Sequence, residues 1–162
     1  MLRKQILGTP PPSPSVRGAA EKDIAAIATV LVTSEDPSHP IDHAFDDQRA
    51  PGGSRWIAGQ PGEQTVILVF DAPQTIRRVL LDIEEPEVTR VQELDVSVSI
   101  DGGETYRELV RQEFNFSPPD TTLEREAWPV NVNAATHLRL RIKPDKGRRL
   151  PYRATVTTLA LE

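Results

Sequence analysis

The chain has 162 residues, a formal net charge of −5 and no cysteine. A chain of this length fits one domain with a sizeable core, and the lack of cysteine excludes disulfides, thiol catalysis and cysteine-ligated zinc. Its fifteen prolines favour a fold with many loops, because proline fixes φ and lacks the N–H that helix interiors and central strands need. The negative charge argues against a nucleic-acid partner. We expect a soluble, cytoplasmic protein without membrane insertion.

The first part of the chain is irregular in its pattern. Residues 1–20 are rich in proline and are predicted to be a flexible N-terminal arm, followed by a single β-sandwich domain over 21–162. Within 24–33 the β-branched run TVLVT predicts a strand, after one helical turn. Residues 34–63 have loop character, and long loops in compact domains are often functional. A short strand is predicted around Arg55–Ala58.

A two-residue period begins at Gln64 and continues to the end of the chain. The run 65–70 is almost wholly apolar, which predicts a strand buried on both faces. Residues 93–100 alternate cleanly between apolar and polar, as a strand with one buried face does. The side chains predicted to point inward are Val79, Leu81 and Ile83 of the strand 75–83, Leu94, Val96, Val98 and Ile100 of 93–100, and Leu138, Leu140 and Ile142 of 137–143.

Turn signals separate these strands. Asp101–Gly103 predicts a tight turn, because glycine accepts a positive φ without strain, and 105–116 would be the second arm of that hairpin. The stretch 154–162 is predicted to be the last strand. Roughly eight short strands between turn signals predict an all-β fold, an antiparallel β-sandwich.

Several motifs follow one another in a recognisable order. They are His39-Pro40, Ala44-Phe45-Asp46-Asp47, Ser54-Arg55-Trp56, the strand Val66–Phe70 before Asp71-Ala72, the strand Ile76–Ile83, Val98–Gly103 with Tyr106, and Leu138-Arg139-Leu140. Together they resemble the galactose-binding-like family of jelly-roll sandwiches, which includes discoidin-like domains and the sugar-binding modules of bacterial glycosidases. The resemblance implies a non-catalytic recognition platform with ligands at loops at one end of the sandwich, and core positions for Trp56 and Tyr106.

The same resemblance raises the question of a metal ion. Sugar-binding members of the family often hold a structural calcium with a loop aspartate and a glutamate near the C-terminus. Asp46 matches the aspartate, whereas Thr157 or Thr158 stands at the glutamate position. We therefore expect no cofactor. Whether the chain binds a structural calcium ion stays an open question at this point.

Two clusters of charged residues are candidate sites in their own right. The loop 36–47 concentrates carboxylates and imidazoles, which ligate divalent cations, although the same residues suit a solvated polar loop. Its candidate metal ligands are Asp42, His43 and Asp46. The second cluster is a basic patch of Arg139, Arg141, Lys143, Arg148 and Arg149. Such a patch suits a phosphate or an acidic partner, or a solvated strand face paired with the acidic segment 82–87.

Function is predicted from these features as a set of alternatives. Because aromatic residues make up only 5% of the chain, few rings are spare for stacking on sugars, although Phe114 or Phe116 could supply one. The first hypothesis is a non-catalytic recognition or adaptor module for a protein partner. The alternatives are a carbohydrate-binding module that uses the end loops, and a metal-dependent hydrolase built on the loop 36–47. No nucleophile elbow, phosphate loop or dinucleotide motif occurs, so we predict that the chain is not an enzyme. The candidate ligand-binding residues at the loop end are Asp46, Asp47, Arg55, Arg111 and Glu113.

Overall fold

The computed structural model describes residues 20–49, 51–147 and 152–162. The predicted N-terminal arm therefore lies, except for its last residue, outside the described residues. A four-residue helix, α1 (Ile24–Ile27), leads directly into the strand β1 (Ala28–Val32), which confirms the prediction of a helical turn followed by a strand. No helix in the described parts of the chain is long and apolar enough to cross a membrane.

The predicted long loop after β1 contains two short elements. They are a 3₁₀ helix (Ile41–Phe45) and the strand β2 (Trp56–Ile57), the second of which confirms the short strand expected there. The other strands are β3 (Gln64–Glu84), β4 (Arg90–Ser99), β5 (Arg107–Phe116), β6 (Leu123–Lys143), β7 (Thr155–Val156) and β8 (Thr158–Leu161).

The two long strands β3 and β6 pair with each other antiparallel, with Gln64 opposite Ile142 and Glu84 opposite Leu123. Irregularities in the register between Val69 and Arg78 bend β3 at its middle, as β-bulges do. The pattern predicted two separate strands in place of β3, and only the second half of β6. The continuity of β3 and of β6 could not be predicted, because the alternation of apolar and polar residues is lost at the bend.

Each half of these long strands belongs to a different layer. One layer has the strand order β1, first half of β3, second half of β6, β4, β5. The other consists of β8, the second half of β3 and the first half of β6, and β2 pairs with β7 beside them. Buried residues of both layers form one apolar core, so the structure is the antiparallel β-sandwich predicted from the sequence.

The strand directions define two ends of the sandwich. At the end that we call the loop end, β1 ends at Val32, β3 begins at Gln64, and the connections 33–55, 85–89 and 144–154 project. The opposite end, the hairpin end, carries the loop 100–106 between β4 and β5.

Burial follows the predicted alternation with a few exceptions. Nine of the ten side chains predicted to point inward are at most 2% exposed, and Trp56 is fully buried. Ile100 is 65% exposed, because β4 ends at Ser99 and the chain continues into a seven-residue loop instead of the predicted tight turn. The run 65–70 is buried on alternate residues only, since none of the described strands or helices forms a layer over its outer face. Phe114 and Phe116 are both buried.

An internal ion pair joins the first described residues to the loop before β2. The guanidinium of Arg49 donates to both carboxylate oxygens of Glu21, at 2.6 and 2.7 Å, and lies 3.3 Å from Asp47. Only 3% of the Glu21 side chain is exposed. The hydrogen bond with Glu21 is the main reason that the pKa of Arg49 is raised. The N-terminal segment is thereby attached to the sandwich by a charge-assisted bidentate contact.

The alternating core predicts a large difference in stability between substitutions of two leucines in the same layer, one on β6 and the other on β1. Replacing buried Leu140 by alanine should lower the free energy of unfolding by about 2–5 kcal/mol, because a cavity remains. The same change at Leu31, which is 50% exposed, should cost about 0.5 kcal/mol. Urea unfolding of the two variants measures the difference, and equal losses would contradict the described layering.

The Arg49–Glu21 pair should contribute more to stability than an exposed pair. Arg49→Gln should cost about 2–3 kcal/mol, somewhat less than a fully buried pair, because 18% of the Arg49 side chain is exposed. Arg78→Gln is the matched control, since Arg78 is 48% exposed beside Glu162 and its loss should cost at most about 1 kcal/mol. Thermal unfolding followed by circular dichroism ranks the two variants.

Candidate functional site

Buried polar contacts hold the loops of the loop end in place. Arg90, at the start of β4, is 5% exposed and pairs with Glu85 at 2.7 Å. Its guanidinium also donates to the carbonyls of Pro144 and Arg153, at 3.1 and 2.7 Å. Burial lowers the pKa of Arg90, and the charge of Glu85 opposes that effect. One guanidinium thus joins the start of β4 to the connections 85–89 and 144–154.

A second arginine joins the loop after β1 to the segment after β2. Arg153 donates to the Asp36 carboxylate at 3.1 Å and to the Ala58 carbonyl at 3.2 Å. The backbone N–H of Ser38 also donates to Asp36 at 2.8 Å. That bond is the first cause, and the bond from Arg153 the second, of a lowered pKa for Asp36. These contacts give the loop end a defined shape.

A cleft of about 450 Å³ opens between these loops. We call it the loop cleft. It is lined by Ser38, His39, His43, Gly52, Gly53, Ser54, Arg55, Glu84 and Pro86. Its volume falls within the range of small-ligand sites.

Two imidazoles stand in the loop cleft with their orientations set by neighbouring oxygens. Nδ1 of His43 lies 3.2 Å from the carbonyl of Arg55. A carbonyl only accepts, so Nδ1 of His43 carries the proton and Nε2 of the neutral ring accepts. Nδ1 of His39 faces the Asp36 carboxylate at 3.5 Å. The two rings are edge to face, with centroids 6.5 Å apart.

Arg55 and Glu84 supply the charges of the loop cleft. Nη1 of Arg55 donates to the backbone carbonyl of Glu84 at 3.2 Å, and within the described chain Arg55 forms no ion pair with a carboxylate. The Glu84 carboxylate accepts from the backbone N–H of Gly52, at 2.9 and 3.1 Å. Gly52 has φ +77°, a conformation that suits glycine, and it folds the loop back onto Glu84. The cleft therefore offers a guanidinium, two imidazoles, hydroxyls and a carboxylate to one small volume.

The structure places the five predicted ligand-binding residues in four different settings. Arg55 lines the loop cleft. Asp46 stands behind the cleft and accepts from the hydroxyl of Ser54 and the N–H of Gln48, whereas Asp47 faces Arg49.

Arg111 and Glu113 do not join the cleft. They lie on the outer face of β5, where Arg111 pairs with Glu93 and Glu108, and Glu113 with Lys146. The resemblance suggested a position at the loop end, but the strand register carries both residues onto the face of the sheet.

The described residues do not gather a metal site. No group of three histidines, aspartates or glutamates among them could hold an ion, so Asp42, His43 and Asp46 are not brought together as ligands. At the position where the resemblance leaves a structural calcium open, each oxygen of Asp46 accepts one hydrogen bond, and Thr158, which carries no carboxylate, lines the neighbouring cavity of about 50 Å³ together with Asp47 and Arg49.

Of the predicted basic patch, the structure describes three residues, and among the described contacts one of them, Arg141, forms an ion pair. Arg139, Arg141 and Lys143 do lie on the outer face of β6, but Arg141 pairs with Asp95 of β4 at 3.0 Å and not with the segment 82–87. Arg148 and Arg149 lie outside the described residues. Arg139 instead has its guanidinium 4.0 Å from the centroid of the Tyr106 ring.

Sequence reasoning missed several residues of the loop cleft, and it misplaced one aromatic residue. Glu84 and Pro86 reach the cleft only because β3 ends beside β2 in space, and no local pattern shows that. The Ser54-Arg55-Trp56 motif was the available signal. Tyr106 was expected in the core, but it is half-exposed at the hairpin end, where it stacks against Arg139.

Comparisons with known proteins bear on the fold. No protein-family model and no curated protein sequence matches the chain. Among solved structures, a pectin-binding carbohydrate-binding module is similar, with 21% identity, a TM-score of 0.58, and coverage of 84% of this chain and 90% of that one. A chitosan-binding module from a chitosanase/glucanase of Paenibacillus sp. IK-5 has 17% identity, a TM-score of 0.58 and coverages of 87% and 98%.

A third similar structure is a family 32 carbohydrate-binding module from Clostridium perfringens in complex with galactose. It shares 10% identity at a TM-score of 0.58, over 87% of this chain and 96% of that one. At these identities the likeness concerns the fold. The chain has the galactose-binding-like jelly-roll fold that its motif order resembles, and it shares that fold with carbohydrate-binding modules.

Proposed function

We propose that this chain is a non-catalytic carbohydrate-binding module and that it binds a saccharide in the loop cleft. The observation that carries the proposal is the convergence of Arg55, His39, His43 and Glu84 on one cleft of about 450 Å³. Sugar hydroxyls both donate and accept hydrogen bonds, and this set provides donors and acceptors at close quarters. The similar solved structures, whose names state binding of pectin, chitosan and galactose, support the same class of ligand.

The adaptor hypothesis has less support from the surface. A protein partner usually covers a contiguous area of about 800 Å² per side, with apolar residues at its centre. Among the described residues the large exposed hydrophobic side chains are Leu31 and Ile100. They stand apart, one on β1 and the other in the loop after β4. No apolar patch of interface size follows from them.

The hydrolase hypothesis also lacks an arrangement to support it. It required ligands from the loop 36–47 to converge in space, and the described residues form no such cluster. The imidazoles of the loop cleft are engaged with Asp36 and the carbonyl of Arg55. Recognition through hydrogen bonds is the activity that the geometry supports best.

Arg55 should be the side chain on which binding depends most. A glycan array identifies the saccharide, and isothermal titration then compares wild type with Arg55→Gln. We expect affinity to fall by about tenfold or more, because charge-assisted hydrogen bonds are stronger than neutral ones. His43→Ala, which removes an acceptor from the same cleft, should weaken binding in the same direction.

Arg78→Gln is the matched control, because it makes the same substitution outside the loop cleft. It should leave the affinity unchanged. Unchanged binding by both cleft variants, at wild-type melting temperatures, would show that the ligand binds elsewhere on the protein. A wild-type protein that binds none of the arrayed glycans would overturn the proposed function itself.

A further inference from the structure

A second cleft lies at the hairpin end, opposite the loop cleft. Its volume is about 420 Å³. We call it the hairpin cleft. It is lined chiefly by Val98, Ile100, Tyr106, Arg107, Val132 and Asn133. Val98 and Val132 are buried, at 2% and 1% exposure, and form an apolar floor, whereas the exposed Ile100 and the half-exposed Tyr106 provide the walls.

Hydrogen bonds within the loop hold these walls in position. The Asp101 carboxylate accepts from the Ser99 hydroxyl at 2.6 Å, and from the backbone N–H of Thr105 at 3.0 Å as well as its hydroxyl. The hydroxyl of Ser99 in turn accepts from the N–H of Gly103 at 2.9 Å. The bonds from Ser99 and Thr105 lower the pKa of Asp101 to about 2. Ile100 is therefore exposed on a pre-ordered loop, which reduces the entropy lost when a ligand binds.

The ring of Tyr106 is also fixed. The guanidinium of Arg139 lies 4.0 Å from its centroid, within the range of a cation–π contact. His137 meets the same ring edge to face at 6.5 Å. Arg139 and His137 are on β6 and Tyr106 precedes β5, so the tyrosine ring spans the strand β4 that lies between them. Ser97 and Ser99 of β4, which are opposite Arg139 and His137, are only 2% and 1% exposed.

The arginines around the hairpin cleft differ from most others in the protein. Across the described ranges, Arg49, Arg78, Arg90, Arg111, Arg125, Arg141 and Arg153 each form an ion pair with a carboxylate. Arg107 lines the hairpin cleft and Arg139 stacks on its tyrosine, and neither has such a partner within the same ranges. Arg77 has none either. It donates to the Val132 carbonyl at 3.1 Å and to the Asn133 side chain at 3.0 Å.

Within the described structure, the carboxylates of the same loop form no ion pair with these cations. Asp101 is engaged by its own loop, and Glu104 is exposed without an ion pair in the described structure. Three guanidinium groups beside one cleft are notable in a chain of net charge −5. Guanidinium groups bind carboxylates in preference to neutral groups.

We propose that the hairpin cleft is a second saccharide site and that it takes a sugar residue carrying a carboxylate, that is, a uronic acid. The apolar C–H face of the ring would lie against Ile100 and Tyr106, and Arg107 would bind the carboxylate. The ligand class rests on the proposed carbohydrate-binding function, but the site is separate from the loop cleft. A volume of about 420 Å³ suits a small ligand better than the large contact area of an acidic protein.

The test uses the whole chain labelled with ¹⁵N, and trigalacturonate as the probe. Backbone resonances of 98–107 and of Val132 and Asn133 should shift in a saturable manner. The methyl ester of the same trisaccharide should bind at least about tenfold more weakly, because it lacks the charges. The shifts should persist in Arg55→Gln. They should vanish in the double variant Ile100→Ser, Arg107→Gln.

A second double variant, Leu31→Ser with Arg78→Gln, makes the same chemical changes at exposed positions outside both clefts and should bind like wild type. Equal binding of the methyl ester would overturn the proposal, as would unshifted hairpin resonances at ligand concentrations on the order of 10 mM. So would tighter binding of a triglutamate peptide to the same residues. The two proposals fail separately, since the Arg55 variant reports only on the loop cleft and the Ile100, Arg107 variant only on the hairpin cleft.

Discussion

The pairing of β3 with β6 along nearly their whole length is the constraint on which the rest of the structure depends. Each strand passes from one layer to the other at its bend, so the two layers are held together by backbone hydrogen bonds as well as by side-chain packing. Both strands bend at the same level of the sandwich. The connections between strands therefore emerge at its two ends, the loop end and the hairpin end. The loop cleft and the hairpin cleft are consequences of that arrangement, and their separation is fixed by the length of the sandwich.

Charge is distributed over this scaffold in two ways. At the loop end, Arg90 and Arg153 are engaged with carboxylates and with carbonyls, and they hold connections that the strands alone leave free. Guanidinium groups without carboxylate partners in the described chain occur at Arg55 in the loop cleft, and at or beside the hairpin cleft. An unpaired cation near a rigid cleft retains its capacity for a ligand, whereas a paired one has already used it. In both proposed sites the arginine chosen as the ligand-binding group is therefore one that lacks a carboxylate partner among the described residues.

The parts of the fold that could be predicted from the sequence are those marked by the two-residue alternation of apolar and polar side chains. Leu94, Val96, Leu138 and Leu140 could be assigned to the core because strand side chains alternate. The bend of β3 could not be predicted, because the register irregularities there interrupt the period. The alternation in the sequence extends to Ile100 and predicted that this side chain points into the core, but β4 ends one residue earlier, at Ser99. For the site, Arg55 was found through its motif with Trp56, but Glu84 joins it only through the register of the sheet, which a single sequence does not display.

The Arg49–Glu21 pair lies in the part of the chain that departs from the calcium-binding pattern of the family. It shows that a side chain can supply the positive charge that balances carboxylates there. It lies beside the cavity that Asp47 and Thr158 share, close to the position where the resemblance implies a calcium ion. A bound ion stabilises a fold only in proportion to its free concentration relative to its dissociation constant. A guanidinium that belongs to the chain is present at every calcium concentration. Since Arg49 supplies a positive charge between Glu21 and Asp47, the chain itself places a cation where these two carboxylates meet.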